Sequence, residues 1–183
     1  MRAPDPPLSD ERVVLRPLAG EDVAVVERAL TDREIQRWFD DSGLSARDVV
    51  ERAAARWAAS EAAEFAIIDG GECVGSIWLN LGPESRASVG YWLLAHARGK
   101  GLATSALLLV ARWAFDALAV ERIGLSADPR NVASVRVAER AGFSREALLR
   151  SWADVNGQRV DYLSLSLLPS DVSAAPTRGP ADN

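Results

Sequence analysis

The spacing of apolar and polar residues changes period several times along the chain, and each change marks a new element. Val13-Val14-Leu15 ahead of Pro17 predicts a first strand. Gly20 to Leu30 and Asp32 to Phe39 carry helical spacing, broken at Asp40-Asp41-Ser42-Gly43. Ser45, with Asp48 three residues on, resembles a capping box, and its helix is expected to reach about Ala62. Phe65, Ile67 and Ile68 read as a strand turning at Asp69-Gly70-Gly71 into a return strand from Cys73 to Leu81. Ser85 to Leu94 is a fourth strand, and Gly90 within it signals a bulge or a close backbone approach.

A long helix opens at Gly101, with Leu102, Ala106, Leu109, Trp113, Ala117 and Val120 expected on its buried face. Arg122 to Ala127 is a strand, Asp128-Pro129-Arg130-Asn131 breaks it, and a helix follows to Ala141 with Gly142 as its C′ glycine. Phe143 to Trp152 and Gln158 to Leu168 read as closing strands around Asn156-Gly157. The order (strand, helices, three strands, helix, strand, helix, two strands) predicts a mixed α/β layer fold rather than regular βαβ units.

A length of 183 residues suits a single domain. It is expected over residues 10–168, with flexible tails at 1–9 and 169–183, both rich in proline. No apolar run is long enough to span a membrane, and no secretory leader is visible behind Met1, so a cytoplasmic location is expected. One histidine and one cysteine nearly exclude a His/Cys zinc site, and no metal is expected. Cys73 reads as a small core residue and His96 as a solvent-facing loop residue. The net charge of −5 weighs against nucleic-acid binding and in favour of a cationic ligand.

The candidate chemistry lies where the Ser85 to Leu94 strand runs through Arg98-Gly99-Lys100-Gly101 into a helix. The first turn of a helix has free N–H groups and partial positive charge, and glycines let a ligand approach the backbone. The combination suits a pyrophosphate, with Arg98 and Lys100 adding charge.

The stretches GYWLLAHARGKGLATSAL, ADPRNVASVRVAERAGF and GQRVDYLSLSLL, in that order, resemble the GNAT superfamily of N-acetyltransferases. Within it the chain looks most like the RimJ/RimL type, which acetylates ribosomal-protein N-termini. The resemblance extends from VVLRPLAGEDV to Leu168. It implies a central mixed sheet of about seven strands, flanked by helices, in which the strand around Val89-Gly90-Tyr91-Trp92-Leu93 is bulged and splays from its neighbour. It implies acetyl-CoA as cosubstrate, held by Leu93, Leu94, Ala95, Arg98, Gly99, Lys100, Gly101, Leu102, Ala103 and Thr104, with Asn131 and Ser134 on the next helix. The Leu93 N–H would stabilise the oxyanion on the thioester carbonyl, and Ser134 would donate to the departing thiolate. Both Asn131 and Ser134 also suit helix capping.

Two family features are missing. The general-acid tyrosine common four residues beyond the Ser134 position is Ala138, and a glutamate found in many relatives is replaced by Ser88. No general base is assigned. An α-amine of pKa ~7.7–8.0 needs little help to be neutral near pH 7.5, whereas a lysine at ~10.4 would cost about 4 kcal/mol, so the sequence favours an α-amine or another mildly basic amine. The acceptor is expected between two loops that flank the mouth in the family: Trp38, Asp40 and Asp41 in one, Trp152 and Asp154 in the other. Three readings stay open: a protein or peptide Nα-acetyltransferase, a small-molecule amine acetyltransferase of aminoglycoside or polyamine type, and a non-catalytic acyl-CoA-binding module. Alone or as a homodimer, the chain is expected to bind neither nucleic acid nor membrane.

Overall fold

The computed structural model describes residues 1–39, 43–155 and 157–173. One eight-stranded sheet has the order β1-β2-β3-β4-β5-β6-β8-β7. Its strands are β1 (Leu8–Ser9), β2 (Val14–Pro17), β3 (Ala62–Asp69), β4 (Glu72–Leu81), β5 (Arg86–Leu93), β6 (Arg122–Ala127), β7 (Ser144–Val155) and β8 (Gln158–Leu167). Among the described residues, only β5 and β6 pair in parallel. The helices are α1 (Val23–Thr31), α2 (Arg33–Gln36), α3 (Ala46–Ala58), α4 (Leu102–Leu118), α5 (Val132–Arg140) and α6 (Pro169–Ser173).

Alternation along the central strands feeds two cores. Phe65, Ile67, Ile77, Leu79, Val89 and Leu93 pack with Leu102, Ala106, Leu107, Val110 and Ala114 of α4. The other face offers Ala66 and half-buried Ile68 and Trp92 to Val26 of α1 and Val50 and Ala53 of α3. The middle of the sheet is therefore buried on both sides, and β3 reads as a near-continuous apolar run.

Four sequence expectations change. The buried stripe of α4 runs through Leu102, Ala103, Ala106, Leu107, Val110, Ala111 and Ala114, leaving Leu109 and Trp113 half-buried and Ala117 exposed. That helix is apolar almost all round, so spacing alone did not fix its orientation; its alanines let it lie close on the sheet. The helix starting at Ser45 does have its capping box, but it ends at Ala58 rather than Ala62, because Ser60 takes a positive φ and Ala62 begins β3. Leu8 and Ser9, assigned to a tail, pair with Leu15 and Val14. The pairing of β5 with β4 runs unbroken from Leu81↔Ala87 to Gly75↔Leu93, so Gly90 makes no bulge in that ladder. Gly90 instead serves a close approach: a Cβ there would sit 2.4 Å from the Trp78 ring.

One buried charge ties the entry of α1 to β2. Asp22 is 1% exposed, accepts from Arg16 at 2.8 and 2.9 Å, and accepts from the Ala19 N–H. Burial pushes its carboxyl up, but the Arg16 guanidinium and the Ala19 N–H outweigh burial and hold it below the usual range. The pair thus stabilises the fold above the unfolded carboxylate pKa of ~3.9, and that contribution is lost as pH falls through the folded value. Asp22→Asn should cost about 2 kcal/mol at pH 7, roughly a 4–8 °C fall in Tm, and the gap to wild type should close below about pH 4. Thermal melts across pH check this; a pH-independent gap, or none, contradicts it.

Candidate active site

The site grows from the place where two parallel strands part. β5 pairs with β6 only at Arg86↔Arg122, Ala87↔Ile123 and Ser88↔Gly124. Beyond Ser88 the strands separate, as expected for the splayed strand. The Leu94 N–H donates to the Val74 carbonyl at 2.9 Å. In an antiparallel ladder this sets the alternation, so the N–H groups of Leu93, Tyr91 and Val89 face away from β4, toward the opening.

Arg98 anchors the far side of the opening. Its Nε donates to the Leu93 carbonyl at 2.9 Å, and its guanidinium pairs with Asp32 at 2.7 Å. Asp32 also caps α2, accepting from the Glu34 and Ile35 N–H groups. Burial raises the Asp32 carboxyl, yet those N–H groups and Arg98 bring it below the usual range. One arginine thus joins the end of β5 to the helix that overhangs the cleft. Lys100 lies 3.5 Å from Asp69. Both cations expected to add charge to the glycine segment are paired with carboxylates. Gly99 and Gly101 take φ of +78° and +81°; a Cβ would meet open space at Gly99 and the Arg12 guanidinium at 3.5 Å at Gly101, and α4 begins directly after Gly101.

Two cavities meet beneath α2. The smaller, about 230 Å³, is lined by Leu93, Arg98, Gly99, Gly101, Leu102, Ala103 and Thr104, and by Val137 and Arg140 of α5. The larger, about 410 Å³, is lined by Arg37, Val89, Gly90, Leu125, Ser126, Ala127, Asp128 and Arg130, and by Val155, Gln158, Val160 and Tyr162 from the last two strands. Trp38, Phe39, Tyr91, Asn131 and Ser134 line both. At this junction the Tyr91 hydroxyl lies 3.1 Å from Ser134 Oγ. Burial pushes the Tyr91 phenol up to about 12, and its hydrogen bond to Ser134 only partly offsets this. Asn131 Oδ1 accepts from the Ser134 N–H at 3.0 Å and so caps α5.

A family model, the acetyltransferase (GNAT) domain, matches residues 12–144. The chain belongs to the GNAT acetyltransferase family. RimJ of Mycobacterium smegmatis, solved with CoA-disulfide, shares 27% identity and superposes with a TM-score of 0.81 over 87% of this chain and 83% of that one. A spermidine N-acetyltransferase from Vibrio cholerae, solved with CoA and spermine, shares the fold at 20% identity, with a TM-score of 0.79 over 90% of this chain and 99% of that one. In sequence, the uncharacterized N-acetyltransferase p20 of Bacillus licheniformis is 28% identical over 169 residues, covering 88% of this chain and 95% of the relative.

Within this GNAT domain the residues singled out by sequence divide into those at the cleft and those away from it. Leu93, Arg98, Gly99, Gly101, Leu102, Ala103, Thr104, Asn131 and Ser134 line the smaller cavity. Leu94, Ala95 and Lys100 do not: Leu94 is buried with its N–H on β4, and Ala95 and Lys100 face outward. Trp38 lies at the junction, held by its Nε1 donating to Glu34 at 2.9 Å. Trp152 and Asp154 line neither cavity. Trp152 is 61% exposed where β7 shifts register, and Asp154 accepts from the Gly157 N–H, closing the turn. Asp40 and Asp41 lie outside the described residues. His96 is exposed, while Cys73 is half-buried and pushed up to about 11 by burial. Sequence reasoning passed over Tyr91, Phe39 and Arg37. Tyr91 was named from sequence only as part of the splayed strand; its hydroxyl, which needs a partner when buried, was the available signal.

Proposed function

We propose that this chain transfers the acetyl group of acetyl-CoA to the free α-amine of a protein or peptide, as an enzyme of RimJ/RimL kind. The observation that carries the reading is the meeting of two cavities at Tyr91, Asn131 and Ser134. One cavity has a glycine-entered helix N-terminus and the unpaired strand edge suited to a pyrophosphate and an amide-bearing arm. The other is open to a second substrate. The Leu93 N–H would stabilise the oxyanion, and Ser134 would donate to the leaving thiolate.

The charges of the larger cavity favour an α-amine over a polyamine. Among the described residues its lining carries Arg37 and Arg130 against the single carboxylate of Asp128. Arg130 binds that carboxylate at 2.6 Å, and the pairing holds Asp128 below the usual range. Arg37 stacks over Trp38 at 4.7 Å. Among the described residues, a polycation would meet no unpaired carboxylate on this lining. The same lack of a base suits an amine that is already partly neutral at pH 7.5.

Gly101→Val is expected to weaken acetyl-CoA binding by an order of magnitude or more, since a branched residue is strained at this positive φ and puts carbon where the pyrophosphate would approach. Calorimetry on a variant with wild-type circular dichroism measures it; unchanged affinity contradicts the placement. In an acceptor screen read by thiol release, peptides with a free N-terminus should turn over and N-terminally blocked copies should not. Their kcat/KM should rise with pH and level off above ~8, as the α-amine becomes neutral. Faster turnover of spermidine, or a rise continuing to about pH 10, would show that the acceptor is a more basic amine.

A further inference from the structure

The junction holds a pair of hydroxyls, those of Tyr91 and Ser134, within hydrogen-bond distance of each other. A phenol has one proton, and a seryl hydroxyl has one proton and two lone pairs. The Tyr91 hydroxyl has two oxygens in reach: Ser134 Oγ at 3.1 Å and the Ser134 backbone carbonyl at 3.4 Å. Oγ is the nearer of the two, so the phenolic proton is placed on it, with the carbonyl as a second, longer acceptor. If Ser134 were the donor, its only proton would be spent on Tyr91, leaving none for a substrate.

We infer that Tyr91 is a positioning residue for Ser134: its phenol donates to Ser134 Oγ and so leaves the seryl proton free to point into the cleft at the departing sulfur. This rests on the acetyltransfer reading above and deepens it. In the step itself, the amine nitrogen forms the C–N bond to the thioester carbonyl carbon. The C–S bond then breaks, with its electron pair leaving on sulfur. The surplus amine proton passes to water. The seryl O–H stabilises the thiolate through a hydrogen bond and keeps its proton, and the thiolate takes its own proton from water. Tyr91 also keeps its proton throughout.

Three features hold the arrangement. Tyr91 lies on β5 two residues before Leu93, in the same phase, so its ring and the Leu93 N–H belong to one rigid strand. Ser134 is fixed in the first turn of α5 by the Asn131 cap. Both residues line both cavities, which puts the pair where the two substrates would meet.

The test is a double-mutant cycle on the full chain: wild type, Tyr91→Phe, Ser134→Ala and the double variant, with kcat from thiol release and acetyl-CoA affinity from calorimetry. Tyr91→Phe should lower kcat by ~10-fold, the worth of one hydrogen bond, with acetyl-CoA affinity within ~2-fold of wild type. The double variant should match Ser134→Ala, because Tyr91 has nothing left to position. An undiminished effect of Tyr91→Phe in the Ser134→Ala background would overturn the inference and show a role in packing. Wild-type kcat in Tyr91→Phe or in Ser134→Ala would overturn it equally. Absence of turnover by the wild-type protein with any amine would instead sink the acetyltransfer reading itself. Should Tyr91→Phe fold poorly, site-specific 3-fluorotyrosine at position 91 preserves shape and is a stronger donor; kcat should then hold or rise, and a fall would overturn the proposal.

Discussion

The parting of β5 from β6 after Ser88 is the constraint on which the rest of the structure depends. A parallel pair that stayed in register would bury the N–H groups of Tyr91 and Leu93 in a ladder. Because the strands diverge, the middle of the sheet has an unpaired edge facing an opening, an unusual thing for a strand packed on both sides. The divergence is supported on each side. β5 is fixed by an unbroken ladder to β4, and β6 by five antiparallel pairs to β8. The opening is thus held between two rigid half-sheets rather than by a loop, and groups on its rim keep their positions.

Arg98 connects this opening to its surroundings. It takes up the Leu93 carbonyl and the Asp32 carboxylate together, so the end of β5, the glycine turn and the start of α2 share one side chain. α2 carries Trp38 and Phe39 just beyond its end to the cleft, and Phe39 packs edge-on against Trp78 at 5.6 Å. Trp78 in turn occupies the space that Gly90 leaves. Arg98, a cofactor-binding candidate in sequence, and Gly90, expected to mark a bulge or a close approach, both help to shape the cleft, one by hydrogen bonding and the other by packing.

Much of the fold was legible because its signals are local. The Ser45 capping box, the Gly70-Gly71 turn, the Arg122–Ala127 strand and the Gly142 helix end each rest on a few neighbouring residues. What escaped depended on contacts distant in sequence. The orientation of α4 is set by which alanines meet the sheet, and the short strand at Leu8–Ser9 exists through its pairing with β2. The site divided in the same way. The glycine segment and the Asn131–Ser134 helix start could be recognised from spacing. The partners of Arg98 and the hydroxyl facing Ser134 come from segments tens of residues away. Trp152 and Asp154, placed at the mouth by the family resemblance and by an aromatic beside an acid, are exposed and line neither cavity.

Whether the splay between β5 and β6 is the groove for the acyl donor can be tested one amide at a time. Residue-resolved hydrogen exchange by NMR, with and without saturating acetyl-CoA, reads the unpaired N–H groups directly. New protection is expected at Tyr91 and Leu93 on β5 and at Leu102, Ala103 and Thr104 in the first turn of α4, with little change at Trp92 and Leu94, whose N–H groups face β4. Binding without protection at Leu93 and the α4 first turn, or with protection confined to another face, would contradict that role for the splay.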